Sequence, residues 1–181
     1  DGTTAVALVY RFLGQFTTNI DYYIPNRYND GYGVSFKGVD YAKETGVKLV
    51  IVLDCGVKAV NEIAYAKELG IDFIVCDHHM QDEVLPPAVA ILNPKLIGSN
   101  YPYPHLSGCG VGFKLMQAFI KDNGIEFSQL IPYLDLVAVS IASDIVPIMG
   151  ENRILAYHGL RQINHNPSTG LRAIIEVCGL R

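Results

Sequence analysis

The chain has 181 residues, of which 50% are hydrophobic and 18% are charged. At about 150 residues per domain, this composition predicts one globular unit and excludes a disordered chain. The formal net charge of −4 excludes a general positive field, so a nucleic acid would have to be held locally, by a metal ion or a few arginines.

The start of the chain combines two predicted helices with a short strand. Thr3 or Thr4 is suited to cap a helix whose apolar residues recur at intervals of three and four, and which ends at Gly14. The elements that follow are a strand at residues 20–24, a loop at residues 26–33, and a helix that Ser35 caps and Gly46 ends.

The next segment alternates strands and helices. Residues 47–53 are a continuous, β-branched apolar run, which is typical of a strand buried on both faces of a parallel sheet. An amphipathic helix at residues 58–69, a buried strand at 71–76 and a shorter strand at 88–92 follow. This alternation predicts an α/β fold with a doubly wound, mostly parallel sheet flanked by helices.

The chain after Ser107 has helical patterns throughout. Apolar residues recur at helical spacing in segments 111–121, 128–142, 152–163 and 171–177. We therefore expect a helical C-terminal part.

The sequence argues against both membrane insertion and disulfide bonding. Its longest apolar stretches fall far short of the ~18 consecutive apolar residues that a membrane span needs. The cysteines, Cys55, Cys76, Cys109 and Cys178, lie far apart without a Cys-x-x-Cys pair, and no signal peptide opens the chain. We therefore expect a protein of the reducing cytoplasm that makes no contact with a membrane.

Acids and histidines follow two neighbouring strands directly. Asp54 comes after the strand at residues 47–53, and Asp77, His78 and His79 come after the next strand. Because ligands bind at the carboxyl ends of parallel strands, these side chains should meet at one edge of the sheet. Adjacent side chains at a strand end alternate in direction, so one imidazole should ligate a metal while the other faces the substrate or a supporting carboxylate.

A further acid, Asp144, ends the apolar helical pattern, where an ordinary helix-end role is an alternative. With Asp1, Asp54 and His78 it makes an oxygen-rich ligand set with a single imidazole. Such a set suits Mn²⁺ or Mg²⁺ better than a structural zinc ion, which favours thiolates. Two ions roughly 3.5–4 Å apart, bridged by a carboxylate, serve phosphoryl hydrolysis by activating water and neutralising the phosphate.

The segment SGCGVG at residues 107–112 precedes a predicted helix. Its backbone N–H groups could form an anion-binding nest at the helix N-terminus, and a plain tight turn is an equally good interpretation. It is neither a P-loop, which needs Gly-Lys-Ser/Thr, nor the dinucleotide fingerprint, because no strand immediately precedes it.

Six motifs, in the same order, resemble the DHH phosphoesterases and among them the RecJ branch, the single-stranded-DNA-specific 5′-to-3′ exonucleases. They are DGTT at 1–4, IPNR at 24–27 with GYG at 31–33, LDCG at 53–56, DHH at 77–79, LSGCGVGF at 106–113, and SDIVP at 143–147 with ENR at 151–153. The IPNR and GYG stretch distinguishes this branch from the family II pyrophosphatases and the small-oligonucleotide phosphodiesterases.

The resemblance implies a role for each acid and histidine. Asp54 would bridge two metal ions, Mn²⁺ or Mg²⁺, while His78 and Asp144 would be ligands of one ion. Asp1 would be the last acid of the family's first motif and also a metal ligand. His79 would be a catalytic imidazole that faces the substrate.

The resemblance also implies how DNA is held. Arg27 looks like the family's anchor for the 5′-phosphate, which would explain digestion from one end. Further substrate contacts are expected from Ser107, Gly108, Gly110 and Arg153.

By the same resemblance, residues 1–181 should be a partial DHH phosphoesterase domain that lacks the earlier first-motif acids and the downstream domains. Alone, such a chain should bind one Mn²⁺ weakly and hydrolyse DNA barely or not at all. The expected activity of the complete enzyme is metal-dependent digestion of single-stranded DNA in repair and recombination. Two alternatives stay open: a catalytically silent DHH-type module that binds DNA or a protein, and a phosphodiesterase for short oligonucleotides or dinucleotides.

Overall fold

The computed structural model describes residues 1–28 and 30–180, and within them the predicted α/β fold is confirmed. The helices and strands, in chain order, are α1 (Gly2–Leu13), α2 (Phe36–Glu44), β1 (Leu49–Leu53), α3 (Val60–Glu68), β2 (Asp72–Cys76), β3 (Ala90–Leu92), α4 (Gly108–Asp122), α5 (Leu134–Ser143), α6 (Gly150–His165) and α7 (Thr169–Val177). Two short 3₁₀ turns, Phe127–Gln129 and Ile131–Tyr133, precede α5. None of the described helices is long and apolar enough to span a membrane.

The three strands pair in parallel in the order β1-β2-β3. The register sets Leu53, the last residue of β1, beside Cys76, the last residue of β2. The amide of Asp54 extends this ladder by donating to the Cys76 carbonyl at 2.8 Å, and Asp77 donates to Leu92 at 3.0 Å. The residues that follow β1 and β2 therefore emerge at the same level of one sheet edge.

Helices cover both faces of the sheet, as the continuous apolar runs predicted. Ile51 and Leu53 pack against a core that α1, α4 and α5 build, whereas Val50 and Val52 pack against a second core built by α2 and α3. Successive strand residues point to opposite faces, so each strand contributes to both cores. Both faces of the sheet are thus covered by helices. Functional side chains can therefore lie only at its edges or at the ends of its strands.

The predicted strand at residues 20–24 is wrong. These residues form no ladder with any described strand, and Tyr22 and Tyr23 are exposed. Their rings pack on helices instead: Tyr22 lies 5.1 Å from Tyr10 of α1, and Tyr23 lies 5.3 Å from Tyr41 of α2, between ring centroids. The aromatic residues that suggested β-structure serve to attach a connecting segment to two helices.

Helix starts also differ from the sequence patterns at two places. Asp1, rather than Thr3 or Thr4, is the N-cap residue of α1, and the Thr4 hydroxyl donates to the Asp1 carbonyl at 2.6 Å. Helix α4 begins at Gly108, three residues before the predicted start, so the glycine-rich segment is its first turn and not a loop. By contrast, Ser35 caps α2 as predicted, accepting a hydrogen bond from the backbone amide of the third helical residue.

The single helix predicted for residues 128–142 is interrupted. Pro132 lies in the second 3₁₀ turn, and the regular helix starts only at Leu134. A proline has no N–H and clashes with the preceding turn of an α-helix, which explains why the helical apolar pattern does not continue through it.

A glycine permits the close packing of α5 and α6. A Cβ atom added to Gly159 of α6 would overlap the backbone carbonyl of Leu134 and would come within 2.5 Å of the Ala138 Cβ on α5. The two helices therefore touch through their backbones at this crossing. This contact fixes α6 against the helix that ends at Asp144.

We expect Gly159→Ala to lower the free energy of unfolding by about 1–3 kcal/mol, because overpacking outweighs the better helix propensity of alanine. Chemical denaturation followed by circular dichroism measures the change. Gly170→Ala in α7, where an added Cβ meets nothing within 4 Å, is the matched control and should be neutral or slightly stabilising. Equal stability of both variants would contradict the backbone contact.

Candidate metal centre

The carboxyl edge of the sheet gathers the predicted acids and histidines. Asp54 follows β1 with a backbone φ of 63°, a left-handed conformation that is uncommon for residues other than glycine. His78 follows Asp77 at the end of β2, and its imidazole Nε2 lies 3.1 Å from Asp54 Oδ1. The strained backbone at Asp54 coincides with the placing of its carboxylate against this imidazole, as is common at functional sites.

His78 is only 4% exposed, and its two ring nitrogens have different surroundings. Nδ1 lies 2.9 Å from the carbonyl oxygen of Leu106, which can only accept, so the N–H of the neutral ring is assigned to Nδ1. Nε2 then carries a lone pair, and it faces Asp54 at 3.1 Å, Asp144 at 3.6 Å and Asp1 at 3.7 Å. A lone pair that faces three carboxylates is repulsive unless a cation or a proton lies between them.

The surroundings of His78 favour a positive charge. Burial lowers the pKa of the imidazole, but the carboxylates of Asp54 and Asp144 outweigh burial, so the pKa lies above its ordinary value. Among the described residues, His78 Nε2 and Asp54 Oδ1 are buried polar atoms with no hydrogen-bond partner. Unsatisfied buried atoms of this kind are costly, and a bound metal ion would satisfy both.

The donor atoms fit Mn²⁺ or Mg²⁺. The side chains form two possible sets of three ligands, and both sets include His78. Within each set, the ligand atoms all lie within 4.8 Å of one another. One group adds Asp54 and His79, and the other adds Asp1 and Asp144. Carboxylate oxygens with few imidazoles suit these two ions, whereas a structural zinc ion favours thiolates. The four predicted metal ligands therefore do come together.

Asp1 is held by the N-terminus of α4. Its carboxylate accepts the amides of Gly108 at 2.7 Å and Cys109 at 2.8 Å, and the hydroxyl of Ser140 at 2.6 Å. Free N–H groups and the helix dipole at an N-terminus both stabilise negative charge. Three donors from α4 and α5 thus fix an anion that the rest of the site would otherwise repel.

The predicted anion nest has a different occupant from the one expected. The amide of Gly108 bonds Asp1, and the amide of Gly110 bonds the Ser107 hydroxyl at 3.1 Å, so in this arrangement neither is free to hold a substrate phosphate. A Cβ atom added to Gly108 would also lie 2.6 Å from the Cβ of Asp54. The missing side chain therefore serves the close approach of α4 to the ligand Asp54.

Asp77 orients His79. It is buried, and it accepts hydrogen bonds from the amides of Val57, His78 and His79 at 2.9, 2.7 and 3.1 Å, and from His79 Nδ1 at 2.7 Å. Burial raises the pKa of Asp77, but the hydrogen bonds from Val57 and His79 outweigh burial and the pKa is lowered. The half-exposed imidazole of His79 is thus held by an anion on one side, which leaves Nε2 available to another group.

Arg27 lies at the rim of the acid cluster. Its guanidinium is 5.8 Å from the centroid of the Tyr32 ring, and both side chains are exposed. Partial burial, and then the charge of Asp54, raise the pKa of Tyr32. A Cβ atom added to Gly33, the residue after Tyr32, would lie 3.8 Å from the Cβ of Cys55, the residue after Asp54. The structure therefore brings the predicted anchor to the side of the centre that β1 occupies.

The remaining predicted residues, Asp144 and Arg153, lie at the end of α5 and in α6. Asp144 caps the C-terminus of α5, with its amide 3.0 Å from the Ser140 carbonyl, as the sequence pattern predicted. Arg153 is exposed in the first turn of α6. Within residues 1–28 and 30–180, no hydrogen bond or ion pair joins its guanidinium to the acids.

Ser140 was not among the predicted site residues. A lone serine inside an apolar helical pattern carries no signal by itself. Its spacing of four residues from Asp144 was the available clue, because residues four apart lie on the same face of a helix.

Comparisons with known proteins identify the family of this chain. A family model described as the DHH family, N-terminal domain, matches residues 1–141. The chain is 37% identical over 179 residues to the single-stranded-DNA-specific exonuclease RecJ of Bacillus subtilis (strain 168), and 40% identical over 190 residues to that of Escherichia coli (strain K12). These alignments take in 99% and 98% of this chain but 22% and 33% of the two relatives, so the chain spans only part of their length.

Solved structures show the same fold. A crystal structure of exonuclease RecJ bound to manganese has a TM-score of 0.82 at 31% identity, covering 97% of this chain and 44% of that one. RecJ in complex with Mn²⁺ from Thermus thermophilus has a TM-score of 0.80 at 27% identity, covering 97% and 25%.

We expect Ser140→Ala to weaken Mn²⁺ binding about tenfold, because groups that orient a metal ligand contribute on the order of 10–100-fold to affinity. Isothermal titration calorimetry measures the loss. Ser143→Ala is the matched control on the same helix, since the Ser143 hydroxyl bonds only the local Ser140 carbonyl. Mn²⁺ affinity of Ser140→Ala equal to that of the unchanged protein would remove Ser140 from the site.

Proposed function

Because this chain belongs to the DHH family, we propose that it carries out metal-dependent hydrolysis of phosphodiester bonds in single-stranded DNA from the 5′ end, as in DNA repair and recombination. The observation that carries the proposal is the buried, unpartnered Nε2 of His78, which faces three carboxylates. The names of the curated relatives support the choice of DNA as the substrate.

Asp1, Asp54, His78 and Asp144 would hold Mn²⁺ or Mg²⁺, the ion found in related structures being Mn²⁺. When bound, the metal supplies Lewis-acid stabilisation of the charge on the phosphate and makes water more acidic. The protein contributes fixed ligand positions. Asp1 is set by α4 and Ser140, and His78 by its bond to the Leu106 carbonyl.

His79 would act on the substrate directly. Because its Nδ1–H donates to the buried carboxylate of Asp77, the free nitrogen is Nε2. When protonated, Nε2 can donate to an oxygen of the phosphate, and when neutral it can take up a proton.

Arg27 would select the end of the strand. A guanidinium binds a terminal phosphate through two parallel hydrogen bonds, which an internal phosphodiester accepts less well. The exposure of Arg27 and its position beside Tyr32, in a segment that reaches the end of β1, support this role. Holding the 5′ end there would present the first internucleotide bond to the metal ligands.

The silent-module alternative is disfavoured by the same buried atoms. A protein without metal chemistry would have only one proton on His78 Nε2 to set against the three carboxylates that face it, an excess of negative charge that a divalent ion would remove. We also propose that residues 1–181 act as part of a DHH phosphoesterase domain in the cytoplasm. The four free thiols of Cys55, Cys76, Cys109 and Cys178 fit a reducing compartment.

We expect Asp54→Ala to abolish hydrolysis of a single-stranded oligonucleotide, because its carboxylate belongs to the ligand set and faces His78. Release of labelled nucleotides at saturating Mn²⁺, by the full-length protein that carries this chain, measures the loss. Asp82→Ala is the control, since Asp82 is exposed and pairs with Lys58, not with any of the proposed metal ligands. Substantial nuclease activity of Asp54→Ala would contradict the proposed role of Asp54 as a metal ligand.

Arg27→Ala should lose the preference for 5′-phosphorylated over 5′-hydroxyl strands while cleaving a bound strand at a similar rate. The loss of a charge-assisted bidentate contact predicts roughly 10–100-fold weaker binding of the phosphorylated strand. Competition between the two strands measures the preference. Arg27→Lys keeps the positive charge but lacks the two parallel donors of the guanidinium, so it should restore only part of the preference for the 5′-phosphorylated strand. Equal losses on both strands would exclude the anchor role.

A further inference from the structure

The outward face of α6 is unlike the rest of this acidic chain. Arg153, Tyr157 and Arg161 follow one another at intervals of four residues, so they form one line along the helix, which we call the α6 stripe. All three are exposed, with Tyr157 at 57%. The opposite face is the buried one, where Asn152, Leu155, Ala156 and Gly159 pack inward.

The stripe carries uncompensated positive charge. Within the described residues, neither Arg153 nor Arg161 forms a salt bridge, although the chain has more acidic than basic residues. The acid of α6, Glu151, is already occupied by Lys114 at 2.8 Å and by the Tyr101 hydroxyl at 2.7 Å. The stripe is therefore available to an anionic partner.

The aromatic ring in the α6 stripe indicates which kind of anion the stripe would bind. The Arg161 guanidinium lies 5.8 Å from the centroid of the Tyr157 ring, so a cation and an exposed aromatic face stand side by side. Single-stranded nucleic acids are bound by such combinations, because bases stack on aromatic rings while cations hold phosphates. Arg153 and Arg161 are about 12 Å apart along the axis, far enough to hold separate phosphates.

The stripe begins near the metal centre. Asn152, the residue before Arg153, donates from its side-chain amide to the His105 carbonyl at 2.6 Å, and the next carbonyl, that of Leu106, bonds His78. Arg27 lies beside Tyr32, in a segment that reaches the end of β1, where a Cβ atom added to Gly33 would be 3.8 Å from the Cβ of Cys55. A strand whose 5′ end is held at Arg27 would therefore cross the acids and continue along α6.

We propose that the α6 stripe binds single-stranded DNA on the 3′ side of the scissile bond. Tyr157 stacks on a base, and Arg161 contacts a phosphate that lies beyond the reacting one. That the ligand is single-stranded DNA rests on the proposed function. That α6 carries a binding surface is inferred from the exposure, spacing and charge of its residues.

The test is the binding of a fluorescein-labelled oligo-dT of about 20 nucleotides to the full-length protein, measured by fluorescence anisotropy in an Asp54→Asn background that prevents cleavage. We expect Tyr157→Ala to weaken binding about tenfold and Tyr157→Phe to bind within about twofold, because stacking needs the ring and not the hydroxyl. Arg161→Ala should lower the slope of log affinity against log salt by about 0.7, the value for one phosphate contact on a single strand.

Arg172→Ala is the matched control, because the Arg172 guanidinium bonds Asn166 and Pro167 rather than facing solvent alone. With Asp54 intact, hydrolysis of a 5′-phosphorylated dinucleotide should be unchanged by Tyr157→Ala, since its single 3′ nucleotide offers no further base to stack on Tyr157. Unchanged oligo-dT binding by both Tyr157→Ala and Arg161→Ala would overturn the inference. So would a clear loss of thermal stability in both, which would show that the stripe packs against protein.

The two proposals fail separately. If the unchanged protein cleaves the 20-mer but the α6 variants bind normally, only the stripe is excluded. If the unchanged protein cleaves no DNA while the α6 variants weaken oligo-dT binding, the nuclease proposal fails and the surface stands.

Discussion

One nitrogen lone pair that faces three carboxylates is the constraint around which this edge of the molecule is arranged. His78 Nε2 is buried with Asp1, Asp54 and Asp144 within 3.7 Å, and without compensation this grouping would destabilise the fold. Each element near it supplies part of the compensation. The β1–β2 register brings Asp54 level with Asp77, the residue before His78, α4 directs its N-terminus at Asp1, and α5 contributes Ser140 together with its C-cap residue Asp144. Much of the local architecture thus serves to hold like charges together.

The parts of the site that depend on strand ends could be predicted from the sequence. Asp54 and His78 were expected to meet because buried apolar runs identify parallel strands, and parallel strands end at one edge. The occupant of the α4 N-terminus could not be predicted. An anion was expected there, but the pattern does not reveal that it is Asp1, which is 107 residues away. Ser140 was missed for the same reason, since its partner is 139 residues distant.

The errors in the fold have a related cause. Residues 20–24 have the aromatic composition of a strand, yet Tyr22 and Tyr23 meet helices instead of a partner strand. The local composition indicates that these residues favour a partly buried, packed surface. Whether that surface is a sheet or a pair of helices depends on their tertiary neighbours. Elements buried on both faces were predicted well because their patterns and their neighbours agree.

The long separation between Asp1 and its donors also affects how the protein folds. Asp1 meets Gly108 and Ser140 only after chain closure over more than a hundred residues, which is entropically unfavourable and slow compared with forming local helices. The proposed ligand set is therefore incomplete until the late, collapsed stages of folding. In a nascent chain the carboxylates are far apart, so they could not bind one cation together. Selective metal capture, and the stabilisation that comes with it, would belong to the finished domain.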